Sequence, residues 1–390
     1  MGKITFYCNI CGGPLFGWDL RKASTAREGE DLSLCYEDEC DCEAGNKLEA
    51  EGAENGASTA EFEHGSYCNS RKGYSGDLVS ESDILWLDDV RMLRVRNCGS
   101  DGDNKMPDDS EAYYITEIGS YNPWFGLKVP GENGSSDARL WANIDGFFLH
   151  DTCWQMVQLV HQTVGSNLQP LEPRCLYLTM QAQLQDEMES SIDWEDRRVY
   201  GGTEDFQWQE WEAQPGYEWL VADPLKPVDC SEFVSASKSL NLGSTNAIVN
   251  MGAPKLSGVD PFSSLPWDIR YKILQMLPSP SVLNLVIASP AFRGAARDLP
   301  DHFWRLRLAY DCPWIDGDSL QQSLAQADGQ VNYKDLIRLI KEAAARPEDG
   351  TNEPQDRWLN LKNRHRIWTC CEAILKKVEE KTKSESFKKL

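Results

Sequence analysis

A chain of 390 residues has room for two or three domains with real cores, and its 41% apolar content excludes a wholly disordered polymer. Thirty-nine Lys and Arg against 62 Asp and Glu leave a net charge of −23, which argues against nucleic acid or an anionic membrane as partner. No secretory start and no apolar run near the roughly 20 residues that span a bilayer appear, so an intracellular chain (cytoplasm, nucleus or both) is expected, its 13 cysteines serving as thiols or metal ligands rather than disulfides.

The expected fold class is α+β: a mixed N-terminal domain over 1–228, a linker over 229–258, and helices thereafter. Ile4, Phe6 and Tyr7 predict a short strand running into Cys8-Asn9-Ile10-Cys11-Gly12-Gly13-Pro14. Two cysteines two residues apart, followed by glycines, suit a zinc knuckle: the tight turn aims both sulfurs at one point, and glycine removes obstruction. The same pair also fits a structural turn with free thiols. Residues 23–76 are rich in Glu, Asp, Gly and Ser and predict a solvated acidic insertion. It carries Cys35, Cys40, Cys42, His64 and Cys68, read as exposed thiols or as contributors to a metal site.

Ordered structure is expected again from residue 77, with apolar residues at Ile84 to Val95 and strands near Tyr113–Ile115 and Phe125–Val129. A strand then ends at His150, and a helix capped by Asp151 carries Cys153, Trp154, Met156, Val157 and Val160. His150 and Cys153, three apart at this junction, supply a second ligand pair. Cys8, Cys11, His150 and Cys153 together suit closed tetrahedral zinc, with no place left for substrate. Spacing alone cannot join pairs so distant in the chain, and a Cys-lined core with His150 in an ordinary hydrogen bond is the competing reading. His161 has no matching partner. Between 165 and 228, Trp194, Tyr200, Phe206, Trp208, Trp211, Tyr217 and Trp219 predict an aromatic core, with a peptide groove as the alternative.

Residues 259–308 carry the most organised pattern. Ser263 or Ser264 is the expected cap and Pro266 the first-turn residue of a helix reaching about Leu277. At about 100° per residue, Leu265, Ile269, Ile273, Met276 and Leu277 share one stripe, with Trp267, Tyr271 and Leu274 opposite. One side packs at home; the other requires a partner. Ser279-Pro280 opens a second helix with Leu283 and Leu285, Ser289-Pro290 a third with Phe292, and Trp304 closes the unit. Val331–Ala345 and Trp358–Val378 predict two further helices within a C-terminal region 309–390. Adjacent Cys370 and Cys371 point to packing rather than shared ligation.

The spacing Leu-Pro-x-x-Ile-x-x-x-Ile-Leu, the Ser-Pro breaks and the terminal Phe303-Trp304-Arg305 resemble an F-box, and more closely the F-box proteins abundant in fungi. In those proteins an N-terminal Cys-x-x-Cys-Gly and a later His-x-x-Cys-Trp recur together, so the resemblance implies one structural zinc on Cys8, Cys11, His150 and Cys153. It further implies docking on a Skp-type adaptor, bridging to a cullin in a ubiquitin ligase that presents an unidentified protein substrate. Leu265, Pro266, Ile269, Ile273, Leu277 and Leu285 are the expected adaptor-binding residues. No phosphate-cradling loop, nucleophile elbow or His-Glu-x-x-His helix is found, so the chain is not expected to be an enzyme. A non-ligase interaction module using the F-box elsewhere and a structural zinc-binding protein are the alternatives.

Overall fold

The computed structural model describes residues 7–15, 74–96, 112–122, 126–130, 138–140, 146–164, 170–184, 192, 194, 204–205, 210–211, 216–239, 260–297, 299–327, 330–345 and 357–388. The strand at Ile4 and Phe6, the acidic insertion up to residue 73 with its cysteines and His64, and Tyr200, Phe206 and Trp208 lie outside them. The architecture is α+β. It divides into two compact units: residues 1–225 with 347–390, and residues 226–346.

The first unit is built on an antiparallel sheet of six strands: β1 (Asp89–Val95), β2 (Tyr113–Ile115), β3 (Gly119–Asn122), β4 (Gly126–Val129), β5 (Ala138–Leu140) and β6 (Gly146–His150). Strand β1 is central. It pairs with β2 and β3 along one edge and with β6 along the other, in a register that sets Val90 opposite His150 and Met92 opposite Phe148. Every residue of β6 is buried, which explains its unbroken apolar run. A short helix α1 (Glu81–Ile84) precedes the sheet, and α2 (Asp151–Val164) and α3 (Pro173–Gln183) follow it. Helix α2 turns Cys153, Met156, Val157 and Val160 inward, the 3–4 spacing of a buried stripe. Strands β7 (Glu204–Asp205) and β8 (Glu210–Trp211) form a separate hairpin.

The second unit is helical. Its first helix, α4 (Ser231–Ser239), falls where a linker is expected; Phe233 and Val234 are buried and anchor it. Glycine- and serine-rich composition hides so short an apolar signal. Four helices then replace the expected three: α5 (Trp267–Met276), α6 (Ser279–Ala288), α7 (Pro290–Arg297) and α8 (Asp301–Asp311). Pro300 restarts the chain ahead of α8, so Trp304 lies inside a helix rather than closing the unit. Helices α9 (Gly317–Ala325) and α10 (Tyr333–Ala344) complete it, both packing on α4.

The cap of α5 falls two or three residues later than its serines predict. Pro266 is the cap, while Ser263 and Ser264 turn back to accept no helical N–H and donate to the Asp260 and Pro261 carbonyls. Leu274, Val286, Phe292, Ala295 and Phe303 form the core of α5–α8, with Tyr271, Ile273, Val282, Leu285 and Trp304 packed around it. The C-terminal carbonyls of α5 are met by the buried Arg307, which donates to Leu274 O and Leu277 O.

Asp260 ties the entry of this segment to α7. Its carboxylate accepts from Ser289 Oγ at 2.7 Å and from the Ala291 N–H at 2.9 Å. Those bonds hold its pKa below the ordinary carboxylate value. A depressed folded pKa gives stability above the unfolded value of about 3.9, lost as pH falls through the folded one. Asp260→Asn is therefore expected to lower the thermal midpoint at pH 7, with the gap from the native chain closing below about pH 4. A gap that stays constant across the titration would refute it.

The final helix, α11 (Leu359–Lys388), belongs to the first unit rather than to the helices it follows, so residues 309–390 are not one region. It packs on α2 and α3 with Ile367, Trp368, Cys370, Cys371 and Ile374 buried. Among the described residues no helix is long and apolar enough to cross a membrane.

Candidate metal centre

Two distant segments meet at the end of β6. The first is a closed turn: the Cys8 N–H donates to Gly13 O at 2.9 Å, the Gly12 N–H to Cys8 O at 2.7 Å, and Tyr7 bridges to Pro14. Gly12 sits at φ +70°, and a Cβ on Gly13 would lie 3.3 Å from Cys11 Sγ and 3.7 Å from a His150 ring carbon. Backbone conformation favours glycine at 12, and a side chain at 13 would crowd the Cys11 sulfur. The second segment is the β6–α2 junction, which delivers His150 at the strand end and Cys153 in the first helical turn.

Asn9 joins the two. Its backbone N–H donates to Phe148 O at 2.9 Å and its side-chain amide to the same oxygen at 3.2 Å. In return Asn9 accepts from the Ile192 N–H at 3.1 Å and from Trp194 Nε1 at 2.7 Å. This is the link that spacing could not supply: the turn is stitched to the edge of β6, two residues before His150.

Cys8, Cys11, His150 and Cys153 are all buried, and their ligand atoms lie within 4.8 Å of one another. His150 Nδ1 is 3.5 Å from Cys11 Sγ and 3.7 Å from Cys153 Sγ. Tetrahedral bonds of about 2.3 Å to sulfur and about 2.0–2.1 Å to nitrogen would set such atoms about 3.6 Å apart, so a zinc-sized ion fits. The far ring nitrogen, Nε2, stands 2.9 Å from the Pro14 carbonyl oxygen. A carbonyl only accepts, so Nε2 carries a proton, and Nδ1 is the nitrogen that faces the sulfurs and would bind a metal there. An ordinary core hydrogen bond at Nε2 gives no reason for sulfurs at Nδ1. Trp86 covers the imidazole edge-on, with centroids 4.8 Å apart.

The electrostatics call for positive charge at this point. Burial pushes the Cys11 thiol up, but hydrogen bonds with Cys153 and Cys8 and the charge on His150 prevail and hold it well below the ordinary range. Burial pushes His150 down, yet Cys8 and Cys11 raise it to about 10. Burial and then its neighbours Cys11 and Cys8 push Cys153 well up. A divalent cation would supply that charge more strongly and allow all three sulfurs to ionise. The Gly13 and His150 N–H groups, 3.3 and 3.4 Å from Cys11 and Cys8 sulfur, already point at developing thiolates. With four protein ligands the centre is closed, the arrangement of a structural site.

Cys370 and Cys371 are buried but outside the cluster. His161, on α2, is also outside it. Sequence reasoning missed Asn9, Trp86 and Arg366, the last of which donates to the Cys11 carbonyl at 2.8 Å. An arginine flanked by Ile367 and Trp368 in a buried helical stretch was the available signal.

The residues nominated for adaptor binding divide. Ile269 is 48% exposed and Pro266 is exposed; Leu265 and Leu277 are half-buried; Ile273 and Leu285 pack on the core of α5–α8. Met276 at 84%, Leu283 at 59% and Ile287 at 45% join Ile269 as exposed aliphatic side chains. No family model, curated protein or solved structure matches the chain.

Proposed function

We propose that residues 259–308 act as an F-box that docks a Skp-type adaptor through α5 and α6, making the chain a substrate-recognition subunit of a Skp-cullin-F-box ubiquitin ligase. The observation that carries this reading is the exposure of four aliphatic side chains on α5 and α6. Helices α5 and α6 send Leu274 and Val286 into their own core while Ile269, Met276, Leu283 and Ile287 remain in water. Exposed aliphatics concentrated on two consecutive short helices favour a protein partner over solvent. On this reading the first unit, held by one structural zinc on Cys8, Cys11, His150 and Cys153, presents the substrate, and ubiquitin transfer belongs to other subunits.

Co-purification of the full chain with an adaptor and a cullin tests it. Capture of both is the expected result. Adaptor without cullin would favour a non-ligase complex, and no adaptor capture at micromolar concentration would overturn the F-box reading.

A further inference from the structure

One divalent cation, three thiolates and a neutral imidazole carry one net negative charge, and every ligand here is buried. A buried anion is costly unless a cation or several donors compensate it. The chain brings such a cation to the back of the knuckle. Arg366, only 9% exposed, places one terminal guanidinium nitrogen 2.8 Å from the Cys11 carbonyl. Its Nε and other terminal nitrogen grip Asn363 Oδ1 at 3.0 and 2.9 Å. Asn363 is fully buried and donates in turn to Ala222 O at 2.7 Å. The preceding carbonyl, Val221 O, accepts from Trp86 Nε1 at 2.8 Å, and Trp86 is the ring that covers His150. One run of contacts from α11 thus reaches both halves of the ligand set, and the guanidinium is locked from behind.

We propose that Arg366 is the countercharge of the metal centre: from behind Cys11 it offsets the negative charge of the loaded three-thiolate site and so sets its affinity for metal. This rests on the zinc reading above. Arg366 is not itself among the ligands, so it is a positioning and compensating residue. Two roles are separable by chemistry. Lysine keeps the charge and loses the fork to Asn363, whereas glutamine keeps a donor for Cys11 and loses the charge.

The test uses the full chain loaded with zinc and titrated with a chelator of known affinity, alongside cobalt(II)-loaded protein read by its thiolate-to-metal charge-transfer bands. Arg366→Gln is expected to weaken zinc binding about 10–100-fold, Arg366→Lys to stay within about threefold of native, and the cobalt bands to be unchanged in both. Native-like affinity in Arg366→Gln would overturn the proposal. So would an Arg366→Lys as weak as Arg366→Gln, because the fork and not the charge would then matter. If Arg366→Gln fails to fold, Asn363→Asp, which leaves Arg366 in place but cancels its charge, is expected to weaken zinc binding by a similar factor; undiminished binding there would sink the idea. A native chain that holds no zinc defeats the metal reading itself, before any variant is compared.

Discussion

Cys153→Ser, and equally Cys8→Ser, is expected to release the metal and unfold the first unit. A closed site of this kind contributes about 10–16 kcal/mol of folding free energy. A whole domain has only about 5–15 kcal/mol of net stability, so a bound metal's share would be as large as the margin. The sulfurs lie between the turn at Cys8–Pro14 and the β6–α2 junction, beside the links made by Asn9 and by His150 Nε2 with the Pro14 carbonyl. Elemental analysis of purified full-length protein should give one zinc per native chain and almost none in either variant, with loss of the cooperative thermal transition. Cys371→Ser is the control: its thiol is fully buried but outside the ligand set, and its zinc should be retained. Because thiolates must stay deprotonated, native protein should also shed its metal as pH falls. A Cys153→Ser protein that kept its zinc would remove the centre from consideration.

The second large effect is on docking. Ile269→Asp with Leu283→Asp should abolish adaptor capture while leaving the fold intact. Both side chains are about half exposed, at 48% and 59%, so aspartate there meets water rather than core. In the complex each aliphatic group covered contributes about 1.5–3 kcal/mol, and losing two amounts to about 100-fold or more in affinity. Buried carboxylates would add to the penalty. Leu274→Asp marks the contrast, since a charge at that fully buried position should unfold the unit itself. Equilibrium binding of purified adaptor, with thermal midpoints recorded for each variant, decides the matter. Undiminished capture by a folded double variant would move the docking surface elsewhere or end the F-box reading.

The pairs Cys8/Cys11 and His150/Cys153 were legible because ligand spacing is local, and so was the strand-to-helix switch at His150–Asp151. What joined the pairs was not legible. It depends on Asn9 finding the edge of β6, a contact made across 139 residues of chain. The stripe on α5 divides: Ile269 and Met276 face water, but Ile273 packs against the core that holds Phe292 and Phe303, as Leu285 of α6 does. Periodicity assigns sides to a helix; it does not say how wide the home side is. Helix α4 was hidden by small polar residues, and Asp260, an isolated acid in sequence, became a cap only once α7 folded back to it.

The pairing of Arg366 with the Cys11 carbonyl spans 355 positions. At a ribosome's pace of about 5–20 residues per second, the knuckle is made roughly 20–70 s before the helix that braces it. Throughout that interval the first unit lacks its last helix, while the entire second unit is threaded out between its two parts. Truncation ahead of Arg366 in α11 would strip the Cys11 carbonyl, near the opposite end of the chain, of this donor.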